Sequence, residues 1–157
     1  VTPLQEKTIE LARSQLDVTE HPHGSNRGPE VDGYLREVGL DPAAGHYPWC
    51  AAFASSMVLR ASKELGTVAE FRGSASGRHL VEINRGLLIP EPEEGCVFVH
   101  FTDDGVHTHV GFVEKFRSDG AQYTVEGNAD RLGSRTGGSV VEQIRSRSYV
   151  NRWIRIA

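Results

Sequence analysis

The sequence predicts an α+β domain in which helices come first and an antiparallel sheet follows. In the first half, apolar residues recur at helical spacing, most clearly Phe53, Met57, Ala61 and Leu65. In the second half, short β-rich runs are separated by the turn signals Asp103-Asp104-Gly105 and Ser118-Asp119-Gly120. No repeat, low-complexity tract or linker interrupts the 157 residues. Residues 1–157 therefore read as one domain, long enough to bury a core.

The elements follow in order. Thr2 suits an N-cap, Pro3 the first helical position, and Gln5 completes a capping box, with Ile9, Ala12 and Leu16 on one face. Glu20 to Pro29 is rich in Pro and Gly and reads as a loop. Glu30 to Val38 is a short helix carrying Val31, Tyr34 and Leu35, and Asp41 to Gly45 breaks it. Trp49 to Leu65 is the strongest helix, with Gly66 as its C-cap. Thr67 to Arg85 shows no clear period, and Pro90 and Pro92 mark a turn. Strands are predicted over Cys96–Phe101, His107–Phe116 and Gln122–Glu126, then a loop over Leu132–Ser139 and a last strand over Ser148–Ile156.

Composition removes several classes of function. The net charge is −4, which disfavours a nucleic-acid partner. No apolar run has the length of a membrane span. No signal-peptide pattern is visible and the chain begins at Val1, so its N-terminus does not give a compartment. Two cysteines, Cys50 and Cys96, are too few for a disulfide scaffold. One bridge between them stays open, but their different contexts favour separate roles.

Cys50 opens the long helix just after Pro48-Trp49. A thiol there meets the positive end of the helix dipole and unpaired N–H groups, which favour the nucleophilic thiolate and can hold an oxyanion. His109 lies on a strand and shares its face with Gly111, which leaves room for a thiol or a substrate. His107 lies on the same face, and pattern alone does not choose between them. On the next strand Glu126 and Asn128 project together, and a carboxylate beside an imidazole fixes its tautomer. Each signal is common on its own. In this order they have the setting of a papain-like site.

Trp49-Cys50-Ala51-Ala52-Phe53-Ala54 resembles the WCAxFV nucleophile motif of CHAP-type amidases and peptidases. Pro92-Glu93-Glu94-Gly95-Cys96-Val97-Phe98-Val99 is similar to the family's PxxGDxVxF strand entry, and Thr108-His109-Val110-Gly111-Phe112-Val113 to its GHVGxV strand. Glu126-Gly127-Asn128 matches its ExN segment, and Asn151 to Arg155 resembles its closing strand. Leu16 to Glu20, followed by Asn26, is similar to the lead-in of a bacterial and phage subgroup. The resemblance implies a papain-like fold, with N-terminal helices on an antiparallel sheet, that hydrolyses amide bonds of peptidoglycan; no calcium loop is evident in the sequence, and neither cofactor nor metal is expected. It implies Cys50 as nucleophile and His109, rather than His107, as base. Glu126 becomes the orienting residue and Asn128 a further polar member, while Asn26, Tyr47 and Trp49 are the candidates for substrate binding. Two positions depart from the pattern, Cys96 in place of Asp and Thr108 in place of Gly. Residues Arg78 to Leu88 match no motif.

Three rival readings remain at this level. Cys96, His100, His107 and His109 fall close together and would form a zinc site if the strands brought them together. The fold would also serve a non-catalytic wall-binding module, or a papain-like enzyme acting on a protein. The bond cut stays open between the muramoyl–L-alanine amide and peptide bonds of the stem or cross-bridge. So does delivery to the wall or periplasm, by secretion, phage lysis or injection as a toxin. The last would require an immunity or delivery protein as partner.

Overall fold

A computed structural model describes residues 1–129 and 137–157. Among the described residues, four α-helices, α1 (Pro3–Ser14), α2 (Pro29–Glu37), α3 (Cys50–Leu65) and α4 (Gly77–Ile83), accompany six strands. The strands are β1 (Leu88–Ile89), β2 (Val97–Phe101), β3 (Thr108–Phe116), β4 (Gln122–Ala129), β5 (Ser139–Arg145) and β6 (Arg152–Ile154). They form one sheet in the order β1-β6-β2-β3-β4-β5, antiparallel at every pairing. This is the α+β arrangement the sequence predicts, with the N-terminal helices packed on the sheet.

The first helix starts with the predicted capping box. The Gln5 N–H donates to Thr2 Oγ1 at 3.2 Å and the Thr2 N–H to Gln5 Oε1 at 2.8 Å. The apolar stripe of α3 then buries Phe53, Met57 and Val58 against Val110, Phe112 and Val125 of the sheet. Burying a side chain of this size contributes roughly 1.5–3 kcal/mol. This packing fixes the start of α3 against β3 and β4. A second cluster, Cys96, Phe98, Val113 and Val150 with Tyr149 and Trp153 against it, lies apart from the main core.

Several boundaries differ from the sequence reading. The unassigned Thr67–Arg85 stretch contains α4, only seven residues long, capped by Ser76 Oγ accepting from the His79 N–H at 3.2 Å. So short a helix shows barely two turns of periodicity. Strand β5 lies where no strand was predicted, because its pattern is inverted: Ile144 is 51% exposed while Arg145 is 9% exposed. The predicted last strand shrinks to β6, preceded by a single 3₁₀ turn over Arg147–Tyr149. Most of the predicted Leu132–Ser139 loop lies outside the described residues, and Ser139 begins β5.

Candidate active site

Cys50 is the first residue of α3, and the residue before it, Trp49, makes no side-chain cap. The first backbone donor to find a helical acceptor is Phe53, bonded to the Trp49 carbonyl at 2.8 Å. The N–H groups of Cys50, Ala51 and Ala52 precede it and have no acceptor in the helix. A capped start would have consumed one of them. Here all three stay uncapped beside Cys50, a residue only 6% exposed.

Trp49 is placed differently from its assignment as a substrate contact. Its indole is wholly buried, stacked on Tyr34 with centroids 5.9 Å apart, and its Nε1–H donates to Glu20 Oε1 at 2.9 Å. A ring without exposed surface offers nothing to a ligand. It acts instead as the anchor that holds the chain entering Cys50. The other Glu20 oxygen accepts from the Gly24 N–H at 2.9 Å, so the 21–28 loop is tied to the same anchor.

His109 is wholly buried on β3, and its Nε2 lies 2.7 Å from Glu126 Oε1. Its neighbour of the same type, His107, is exposed in the turn before the strand, so the structure separates the two histidines. Register explains the Glu126 contact: Gly111, two residues after His109, pairs with Glu126 of β4. A Cβ at Gly111 would lie 2.6 Å from the Phe98 ring and 2.8 Å from Glu126 Cγ. Glycine is therefore needed for the carboxylate to reach the imidazole. Gly127 permits a similar approach on the opposite side, where a Cβ would lie 2.7 Å from Phe53 of α3.

Glu126 is also wholly buried, and its carboxylate is fully hydrogen-bonded. Oε1 accepts from His109 and from Arg145 Nη2 at 2.6 Å. Oε2 accepts from Arg145 Nε at 2.8 Å and from Thr124 Oγ1 at 2.6 Å. The bidentate guanidinium fixes both the charge and the plane of the carboxylate. Arg145 lies over the Tyr149 ring at 4.3 Å, and His100 stacks on the same ring at 3.9 Å.

The charges follow from this geometry. Burial alone would push the Glu126 acid up, but Arg145 and then His109 hold it down at about 2. Burial would lower His109, but the Cys50 sulfur and Glu126 outweigh it and raise the imidazole to about 9. Burial disfavours the Cys50 thiolate too, yet His109, with the N–H groups of Val110 and Ala51, pulls the thiol below its ordinary value. The imidazole nitrogen that faces away from Glu126, Nδ1, makes no well-formed hydrogen bond and is left for the sulfur. The cluster favours a thiolate beside an imidazolium, backed by a carboxylate and a guanidinium, and these four charges sum to zero.

Other candidates are less closely joined. Asn128 is buried at a left-handed backbone position (φ 54), and neither atom of its amide is hydrogen-bonded. Asn26 (φ 55) and Tyr47 are half-buried, and among the described residues neither bonds to Cys50, His109 or Glu126. Both cysteines are free, so no bridge joins them. The rival zinc cluster does not converge: among the described residues no three His, Cys, Asp or Glu side chains are grouped to hold a metal. The sequence reading missed Arg145, Thr124 and Glu20. For Thr124 the signal was present, since it shares the strand face of Glu126.

A family model described as the CHAP domain matches residues 42–128, more than half of the chain and including Cys50, His109, Glu126 and Asn128. No curated protein and no solved structure matches.

Proposed function

This chain belongs to the CHAP-domain family, and from that premise we propose that it hydrolyses an amide bond of peptidoglycan through an acyl-enzyme on Cys50. The family implies an amidase or peptidase that acts on peptidoglycan at the cell wall. No helix among the described residues is long and apolar enough to cross a membrane. The observation that carries the finer reading is the buried line Cys50–His109–Glu126–Arg145 at the uncapped start of α3.

Each residue then has a task. The Cys50 thiolate attacks the carbonyl carbon of the scissile amide. The backbone N–H of Cys50, free of any helical acceptor, suits the oxyanion that forms, while the Ala51 N–H already faces the sulfur. The His109 imidazolium gives its Nδ1 proton to the leaving nitrogen, so the C–N bond breaks and the amine departs neutral. Water then attacks the thioester. His109, now neutral, takes the water's proton, and Cys50 leaves as thiolate. Glu126 holds the ring through Nε2 throughout, and Arg145 keeps Glu126 ionised. The bond is either the muramoyl–L-alanine amide or a peptide bond in the stem or cross-bridge.

Digestion of purified sacculi by the wild type and by Cys50→Ala, followed by mass analysis of released fragments, tests this. The expected result is release by the wild type alone, with new termini that identify the bond. Release by Cys50→Ala, or by neither protein from any type of sacculus, overturns it. In the second case a protein substrate becomes the better reading.

A further inference from the structure

Beside the catalytic strand lies a cavity of about 360 Å³ lined by Arg78, Val81, Glu82, Phe101, Asn151 and Arg152. Its position follows from register and packing. Phe101 pairs with Thr108, the residue before His109. Gly77, adjoining Arg78, packs so closely that a Cβ there would lie 3.0 Å from Val110 Cγ2, and the Val110 N–H faces the Cys50 sulfur. Thr108 and Val110 are two residues apart, about 7 Å along the strand. The cavity therefore adjoins the stretch of β3 that meets the nucleophile.

Its charges are unbalanced in an informative way. The guanidinium carbons of Arg78 and Arg152 lie 5.3 Å and 5.9 Å from the centroid of the Phe101 ring. Two like charges drawn to one ring repel each other, and among the described residues neither has a carboxylate partner. Their hydrogen bonds go to the backbone carbonyls of Gly105 and Asn151. This is local positive charge on a chain whose net charge is −4. Glu82 stands on the same lining, four residues after Arg78, and forms no ion pair with either arginine. The lining thus offers two donors for a carboxylate, one acceptor for an ammonium, and an apolar floor of Phe101 and Val81.

Resting on the peptidoglycan reading, we propose that this cavity is a substrate subsite for an α-ammonium carboxylate, the zwitterionic end of a diamino-acid side chain in an uncross-linked stem. A stem residue whose side chain ends in an ammonium alone satisfies Glu82 and leaves both guanidiniums unpaired. The subsite therefore selects diaminopimelate-type stems over lysine-type stems.

Calorimetric titration of the Cys50→Ala protein tests this apart from catalysis. The probes are two N-acetylated, C-amidated stem tripeptides that differ only in meso-diaminopimelate or L-lysine at the third residue. The diaminopimelate peptide is expected to bind about tenfold more tightly, as charge-assisted pairing to two guanidiniums allows. Adding Arg78→Gln and Arg152→Gln should erase the difference, with unchanged thermal unfolding because both side chains are exposed. Should the combined variant fold poorly, each single substitution carries the comparison. Equal affinities, no binding by either peptide, or a preference that survives loss of both arginines overturns the subsite. If the preference holds but the wild type cuts no sacculus, the subsite stands and the hydrolase reading falls.

Discussion

Cys50 and Cys96 are both free and both almost wholly buried, at 6% and 0% exposure, yet their thiols are driven in opposite directions. Cys96 precedes β2 among Phe98, Val113 and Val150, and burial pushes it up to about 12. Cys50 carries a burial penalty as well, but it begins a helix beside His109 and two backbone N–H groups, and it ends below its ordinary value. Burial therefore does not decide the state of a thiol here. What decides it is whether donors converge on the sulfur. Cys96 stands where the PxxGDxVxF entry that the sequence resembles has Asp, and an apolar environment of this kind suits a thiol that stays protonated.

The comparison is broken most strongly by His109→Ala. The imidazolium is the largest favourable influence on the Cys50 thiolate, so its removal should leave Cys50 as inert as Cys96. Hydrolysis of sacculi should fall about 10³-fold, the scale of a lost general acid–base. Release rates from labelled sacculi measure this.

Arg145→Gln comes next. It leaves the buried Glu126 carboxylate without its bidentate partner, which should cost about 3 kcal/mol of stability by denaturant unfolding. It also changes the pH dependence in a defined direction. Glu126 is held at about 2, below its unfolded value, so its contribution to stability is present above pH 4.5 and is lost as the pH falls toward 2. In Arg145→Gln the folded-state value rises, so the stability lost below pH 4.5 should be smaller and the loss should end at a higher pH. An unchanged profile between pH 6 and 2 would mean that Arg145 does not govern the carboxylate.

Gly111→Ala should act through geometry alone. Its methyl group meets Phe98 and Glu126 Cγ, so the carboxylate must withdraw from His109. The Cys50 thiol should titrate closer to its ordinary value, with a stability cost of about 1–3 kcal/mol from overpacking. Thiol titration and thermal unfolding of the same sample separate the two effects.

Cys96→Ala should have the smallest effect. It removes one buried sulfur, for about 1–2 kcal/mol of stability, and should leave the rate of sacculus hydrolysis within about twofold because no donor joins it to the site. A larger drop in hydrolysis would show that the two thiols are not independent.

The sequence made some of this legible and hid the rest for physical reasons. Cys50, His109 and Glu126 stand in short motifs whose spacing reflects strand alternation and a helix start, so their proximity was readable. The choice between His107 and His109 needed the family pattern; in the structure His109 lies within the strand beside Glu126 and His107 lies before it. Arg145 was not legible, because its strand exposes an isoleucine and buries an arginine, against the hydrophobic pattern that marks strands. Trp49 was misread because motif adjacency to the nucleophile does not reveal direction. Its ring turns inward onto Tyr34. Helix α4 was too short to show a period, although it supplies Arg78 and Glu82 of the adjoining cavity.

The most direct test is the rate of iodoacetamide alkylation of each cysteine in the native protein, read by mass spectrometry across pH 4 to 10. A thiolate–imidazolium pair predicts that Cys50 begins to react at a pH below that of an ordinary thiol. A second rise should appear as His109 loses its proton near 9, while Cys96 stays unmodified throughout. A single titration of Cys50 at or above the ordinary thiol value, or equal rates at the two cysteines, would contradict the account.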